Sequence, residues 1–113
     1  MLKLTILLKR RQGLSHEDFL WSLQHDHAKL FGALPIVQQE VRRYEQFHSL
    51  PMAMPGLPEP EFDGIAEFWF DDIDSMFRVF TAEDYLKRIR PQEKKFLELR
   101  ECGFLISVRH QVI

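Results

Sequence analysis

A chain of 113 residues can bury one compact core but is too short for two domains. Its hydrophobic fraction of 45% and charged fraction of 28% exclude a disordered chain and a membrane-spanning one. A formal net charge of −2, with Lys and Arg dispersed, excludes a dedicated nucleic-acid binder, whose affinity comes from clustered cations neutralising phosphates.

Leu2, Leu4, Ile6 and Leu8 alternate with Lys3, Thr5, Leu7 and Lys9, the period-two pattern of a first strand over 2–9. Lys3 and Thr5 interrupt the apolar run and no small-residue cleavage site precedes Lys9, so the segment reads as a strand rather than a signal peptide. Lys9, Arg10 and Arg11 form a tight basic triplet, expected to be solvated where the strand enters a loop.

Ser15 with Asp18 marks a helix start, and the helix is expected to run to about Gly32. Phe19, Leu23, His27, Leu30 and Leu34 follow at steps of four, four, three and four, which lines them along one buried face. His27 thus stands where leucine is expected.

Pro35 ends that helix, and residues 41–48 form a second strand with two mixed faces, one carrying Tyr44 and His48. Such a strand belongs at a sheet edge or beside a pocket. Pro51, Pro55, Pro58 and Pro60 then fix residues 49–62 as a surface loop; Met52, Met54 and Leu57 make it apolar enough to fold over an opening or to pack on its own domain.

Residues 65–70 make a third strand with Ala66, Phe68 and Phe70 on one face and Ile65, Glu67 and Trp69 on the other. Ile73, Met76, Phe77 and Phe80 repeat at helical spacing, with Asp72 or Asp74 as cap. Tyr85, Leu86 and Ile89 carry another helical stretch, which Pro91 breaks or restarts. After Gly103, residues 104–112 alternate as a fourth strand.

The order strand, helix, strand, repeated once, predicts an α+β, ferredoxin-like split β-α-β fold: a four-stranded antiparallel sheet with helices on one face. The helix-free face would show Thr5, Leu7, Ile65, Glu67, Trp69, Leu105, Ser107 and Arg109. That face is too apolar for water, which predicts a homodimer packed sheet to sheet.

Several segments together resemble the EthD-like family of the dimeric α+β barrel superfamily. They are the first strand ending in Lys9-Arg10, Leu14 to Phe19 at the helix start, the His27-Ala28 pair, Arg43-Tyr44 with His48, and above all Phe62-Asp63-Gly64-Ile65-Ala66-Glu67-Phe68-Trp69-Phe70. The resemblance implies one dimeric barrel domain over 1–113, cytoplasmic, with a small-molecule pocket between helices and sheet. The superfamily includes cofactor-free monooxygenases, polyketide cyclases and lactone isomerases, so fold does not decide function. The chain departs from the family at Ser22, where an aromatic residue is common and Trp21 comes one place earlier.

His27 is a general base or acid kept neutral by desolvation, or a core ring satisfied by a neighbouring partner. The family position favours the catalytic role. His25 and His27, two places apart on a helix, diverge by about 200° and cannot share a metal ion; no other spacing completes a metal site. Tyr44 and His48 are expected to orient substrate oxygens, and Phe68, Phe70, Phe77 and Phe80 could wall a flat apolar ligand, with Phe68 and Phe77 as its expected contacts.

No P-loop, dinucleotide-binding pattern or GxSxG elbow occurs, so no cofactor is expected. Cys102, beside Glu101, is no activated nucleophile, and as the single cysteine it suits a reducing compartment. The expected function is cofactor-independent proton transfer on a small, apolar oxygenated ring compound, by an isomerase, cyclase or monooxygenase-like enzyme. The alternative is a non-catalytic binding or accessory protein for an oxygenase system.

Overall fold

The computed structural model describes residues 1–113. β1 (Leu2–Leu8) is followed by α1 (His16–Trp21), which continues through π-helical turns at Ser22–His27 into α2 (Ala28–Gly32). A short α3 (Pro35–Glu40) leads to β2 (Arg43–His48), and β3 (Gly64–Phe70) follows the long loop. Then come α4 (Ile73–Phe80), π-helical turns at Tyr85–Ile89 running into α5 (Arg90–Phe96), and β4 (Gly103–Val108).

The four strands form one antiparallel sheet in the order β2-β3-β1-β4, with Leu4 opposite Phe68 and Ile106, and Tyr44 opposite Phe68. This is the α+β ferredoxin-like arrangement that the element order predicts. Alternation decides the faces: Gly64, Ala66, Phe68 and Phe70 are buried under the helices, while Ile65, Glu67 and Trp69 between them are half-buried on the other side. Gly64 sits close to the neighbouring strand and under the first helix. A Cβ there would lie 3.1 Å from the Phe47 carbonyl and 3.7 Å from the Phe19 ring.

Helix starts follow the sequence. Ser15 Oγ accepts from the Asp18 amide, and Asp72 and Ser75 exchange side-chain and backbone hydrogen bonds in a full capping box. The buried stripe of the first helix differs at one place. Leu30 is 43% exposed and Phe31 takes its position in the core. The π-helical turns are the cause: the Ala28 amide donates back to the Leu23 carbonyl, five residues away, so each turn holds more than 3.6 residues. Steps of four then stay in phase, and Leu23, His27 and Phe31 stack on one face.

Pro91 restarts the later helix as an α-helix. It sits at the start of α5, directly after the Tyr85–Ile89 turns, where the wider π winding accommodates a ring that would otherwise meet the carbonyl four residues back. The fourth strand ends at Val108, short of the 112 expected, and the second begins at Arg43.

The basic triplet is not simply solvated. Lys9 Nζ donates to the Glu61 carbonyl, the Arg10 amide and guanidinium hold Asp63 at 2.9 and 3.3 Å, and Arg11 donates to the Lys94 carbonyl. Two of the three pin the end of the 49–62 loop. On the helix-free face, Trp69 lies between the Lys3 ammonium and the Arg43 guanidinium, 5.6 and 4.8 Å from its ring centre, and Glu67 pairs with Lys3. Leu105 on β4 is 62% exposed there. No helix of the chain is long and apolar enough to cross a membrane.

Candidate active site

His27 is buried to 4% exposure, facing the sheet from the end of the π-helical turns. Its Nδ1 lies 2.8 Å from the Tyr44 hydroxyl on β2, and its Nε2 lies 3.0 Å from Glu93 Oε2 on α5. Glu93 is itself buried, and its other oxygen accepts from the Tyr85 hydroxyl at 2.7 Å and from Arg90 Nε at 3.2 Å. Arg90 Nη2 reaches the Tyr85 oxygen at 3.3 Å, with the guanidinium over the Tyr85 ring.

The proton positions follow from one carbonyl. The Leu23 carbonyl can only accept, so Gln46, 2.8 Å away, must turn its Nε2 toward it. The same nitrogen donates to the Tyr44 oxygen at 2.8 Å, while Gln46 Oε1 accepts from His48 Nε2 at 3.0 Å. The Tyr44 proton is then left to point at His27 Nδ1. His27 is therefore a neutral imidazole carrying its proton on Nε2 and donating it to Glu93. Glu93 is an ionised carboxylate with three donors, His27, Tyr85 and Arg90.

The local electrostatics agree. Burial raises the Tyr44 hydroxyl well above its ordinary value, Gln46 only partly offsetting this, and burial with the Glu93 charge raises Tyr85 likewise. Both phenols stay protonated and act as donors. Burial opposes the charge on Arg90, but its bonds to Tyr85 and Glu93 outweigh that and hold it above its ordinary value. Burial also pushes the Cys102 thiol up, as its bond to the Glu98 carbonyl suits a protonated group.

Beside this cluster lies a cavity of about 220 Å³ between helices and sheet. An engineered apolar cavity of about 150 Å³ accepts benzene, so this one has room for one or two fused rings. Its wall combines Ile6, Leu8 and Phe68 of the sheet, Leu23, and Phe96 with Leu97 and Leu99 after α5, and it reaches Phe104 on β4. Phe104 is 61% exposed because no helix covers β4. Of the 13 lining residues 10 are hydrophobic, and the other three are His27, Arg90 and Glu93.

The residues singled out in the sequence fall on both sides of this boundary. His27 and Phe68 line the cavity. Tyr44 stands behind His27, stacked on Phe68 with ring centres 4.4 Å apart, and bonds the ring nitrogen that faces away from Glu93. His48 shares the Tyr44 face but is exposed at the strand end, reaching only Gln46. Phe77 is 55% exposed on the outer side of α4 and lines no part of the cavity. Phe80 belongs to a packed aromatic core with Phe70 and Tyr85.

The 49–62 loop contributes no residue to the cavity; it packs at Arg10 and His16 instead. His25 stacks on exposed Trp21, away from His27, and no group of three or more His, Cys, Asp or Glu side chains is arranged to hold a metal ion. Sequence reasoning missed Glu93, Tyr85 and Arg90 as site residues. The signal was present: Tyr85, Ile89, Glu93 and Phe96 step by four, four and three, with an acid on an apolar stripe.

The model of the EthD domain matches residues 11–100. The chain belongs to the EthD family. No curated protein sequence matches it. Among solved structures it is similar to an EthD family protein from Bacillus halodurans, at 18% identity and a TM-score of 0.73, covering 97% of this chain and 99% of that one. A dimeric protein of unknown function with a ferredoxin-like fold from Bacteroides fragilis matches at 17% identity and TM-score 0.67, covering 94% and 93%. SnoaB, a cofactor-independent oxygenase from Streptomyces nogalater, matches at 9% identity and TM-score 0.66, covering 99% and 95%. Identities this low speak to the fold, which this EthD chain shares with all three.

Proposed function

We propose that this EthD protein binds a small, largely apolar oxygenated ring compound in the cavity and transfers a proton on it without a cofactor. The observation that carries this reading is the buried His27–Glu93 pair in the wall of an otherwise apolar cavity. The apolar lining would hold a ring compound beside the Glu93 carboxylate, which is placed to act as a general base toward its C–H or O–H acid.

The two members of the pair have different work. Glu93 is the acceptor on the cavity side. His27 orients it through Nε2–H and shares its charge, and Tyr44 fixes the imidazole tautomer from behind. Phe68 supplies a flat wall. His48 and Phe77 lie outside the cavity, which leaves them no direct contact with a ligand bound there.

A second reading has its own support. Both imidazole nitrogens already have protein partners, as in a satisfied core histidine, and this favours a binding or accessory protein that holds an intermediate for an oxygenase. Proton exchange separates the two. In D₂O the enzyme should exchange the protons beside the carbonyl of 2-tetralone, while Glu93→Gln and His27→Gln should lose that exchange and still bind the ketone. Binding with no exchange above the buffer rate leaves only the carrier. Oxygen uptake with an anthrone would mark the oxygenase variant of the catalytic reading, the activity named for SnoaB.

We also propose that the protein works as a homodimer through the helix-free face. Exposed Leu105, the cation-flanked Trp69 and two similar structures described as dimeric support it. Leu105→Glu should yield monomers in sedimentation velocity; an unchanged dimer would move the interface elsewhere. A single half-buried cysteine suits the reducing cytoplasm.

A further inference from the structure

We propose that the cavity selects ligands that enter neutral and carry an acidic oxygen or become one, phenols and enolisable cyclic ketones, and that Arg90 receives the oxygen on which the charge develops. The inference rests on the proton-transfer reading above and adds the substrate class to it.

The polar groups of the cavity are gathered in one place, and their hydrogen-bonding capacity is unbalanced. Both nitrogens of His27 are engaged. Glu93 already has three donors, two on Oε1 and one on Oε2, which leaves one acceptor site, on Oε2, open. Arg90 uses Nε on Glu93 and Nη2 on Tyr85, while Nη1 has no protein partner. A guanidinium has five N–H groups, so about three remain, open to water on the 40% exposed Arg90 side chain until a ligand oxygen replaces it. The surplus is therefore one of donors, held beside an apolar wall, and donors of this kind recognise an oxygen with growing negative charge.

Charge conservation narrows the class. Before reaction, Arg90 and Glu93 neutralise one another. When the substrate O–H or C–H bond breaks, its electron pair stays on the substrate as a phenolate or enolate, and the proton goes to a Glu93 carboxylate oxygen. Glu93 becomes neutral as the substrate becomes anionic, so the cation keeps one counter-charge throughout and none is left unpaired at the cavity wall. A ligand already anionic, such as a carboxylate, would instead add a second negative charge beside Glu93. The site discriminates against it.

Titration of bound 4-nitrophenol tests this directly, because its phenolate absorbs in the visible and reports its own pKa in the site. Glu93→Gln leaves Arg90 without its counter-charge and should lower the bound probe's pKa by about one unit, a tenfold preference for phenolate. Arg90→Gln should raise it by about as much. Arg90→Lys, which keeps the charge and loses the planar fork, should fall between. 4-Nitroanisole, which has no proton to lose, should bind all four proteins alike, and benzoate should bind tightly only to Glu93→Gln.

An unchanged probe pKa across variants that still bind 4-nitroanisole overturns the proposal, as does failure of the wild-type protein to bind either probe. Shifted pKa values without proton exchange in 2-tetralone would sink catalysis and keep the ligand class. Exchange with unshifted values would do the reverse.

Discussion

His27 and Glu93 occupy matching places on the two helical stretches that cover the sheet. In the first, Phe19, Leu23, His27 and Phe31 form a buried stripe through π-helical turns; in the second, Tyr85, Ile89, Glu93 and Phe96 do the same. The first stripe carries His27 and the second Glu93 where a leucine would pack, and the two meet at 3.0 Å. Neither could be buried alone. A charged carboxylate without donors and an imidazole without partners each cost several kcal/mol in an apolar interior, of the order of 1–3 for a neutral group and more for an ion. One such anomaly on a helix therefore implies a second on the element facing it.

The stripes differ in what supports them. His27 is held by two partners, both side chains of other elements, whereas Glu93 draws two of its three donors from its own stretch, Tyr85 and Arg90. Removing either member has the largest expected effect. His27→Leu leaves Glu93 with one donor fewer, and Glu93→Leu strands the His27 N–H, the Tyr85 hydroxyl and Arg90 together. Each should cost about 3–5 kcal/mol in urea unfolding, with Glu93→Leu the larger. The double variant should lose clearly less than the sum, since neither the His27 N–H nor the Glu93 carboxylate is left without the other. Additive losses would mean that the pair is not coupled.

The contrast also explains what could be read from the sequence. The sheet, its alternating faces and the helix start at Ser15 follow from local periodicity and capping, which need no knowledge of distant residues. His27 stood out because its flanking stripe is uninterrupted. Glu93 did not, because Pro91 reads as a helix end there and the run Lys87 to Arg90 reads as solvated charge; only the three-dimensional packing turns Arg90 toward Glu93. Phe31 was hidden for a related reason. A 3.6-residue period selects Leu30, and π winding is set by hydrogen bonding that no spacing rule contains. His48 and Phe77 were misleading in the opposite way: shared strand face and aromatic character are right for each, but strand end and outer helix face put them beside water.

Tyr44 acts on the same pair at a lower energy. Tyr44→Phe removes the donor to His27 Nδ1 and the acceptor for Gln46 while keeping the ring on Phe68. The expected loss is about 1–3 kcal/mol, the cost of leaving a buried imidazole nitrogen unpaired. The ¹⁵N chemical shifts of His27 should show the tautomer released from Nε2–H. An unchanged tautomer would assign that job to Glu93 alone.

Alkaline pH probes both stripes at once. Tyr44 and Tyr85 are raised in the folded protein from the ordinary value of 10.0. Their contribution to stability is whole below that value; above it the unfolded chain releases protons that the folded one retains, so stability falls as pH rises. The slope should reach about 1.4 kcal/mol per pH unit for each tyrosine. Tyr85→Phe and Tyr44→Phe should each flatten it by one proton's worth in unfolding experiments above pH 10. A slope unaltered in both variants would place the titration in other groups.

The smallest effects should come from residues that share the stripes' chemistry without sharing their burial. Phe77→Ala removes an aromatic side chain from the exposed side of α4, and His48→Ala removes an imidazole whose one partner is the Gln46 carbonyl oxygen. Both should stay within about 0.5 kcal/mol of the parent stability and leave 4-nitroanisole binding intact, since neither borders the cavity. The two are not equivalent, however. Gln46 also positions Tyr44, so a loosened Gln46 would reach His27 in one further step, and His48→Ala should alter the Tyr44 environment slightly where Phe77→Ala does not. Loss of ligand binding in Phe77→Ala would require an opening on the α4 side of the core, where the aromatic rings of Phe70, Phe80 and Tyr85 are packed against one another.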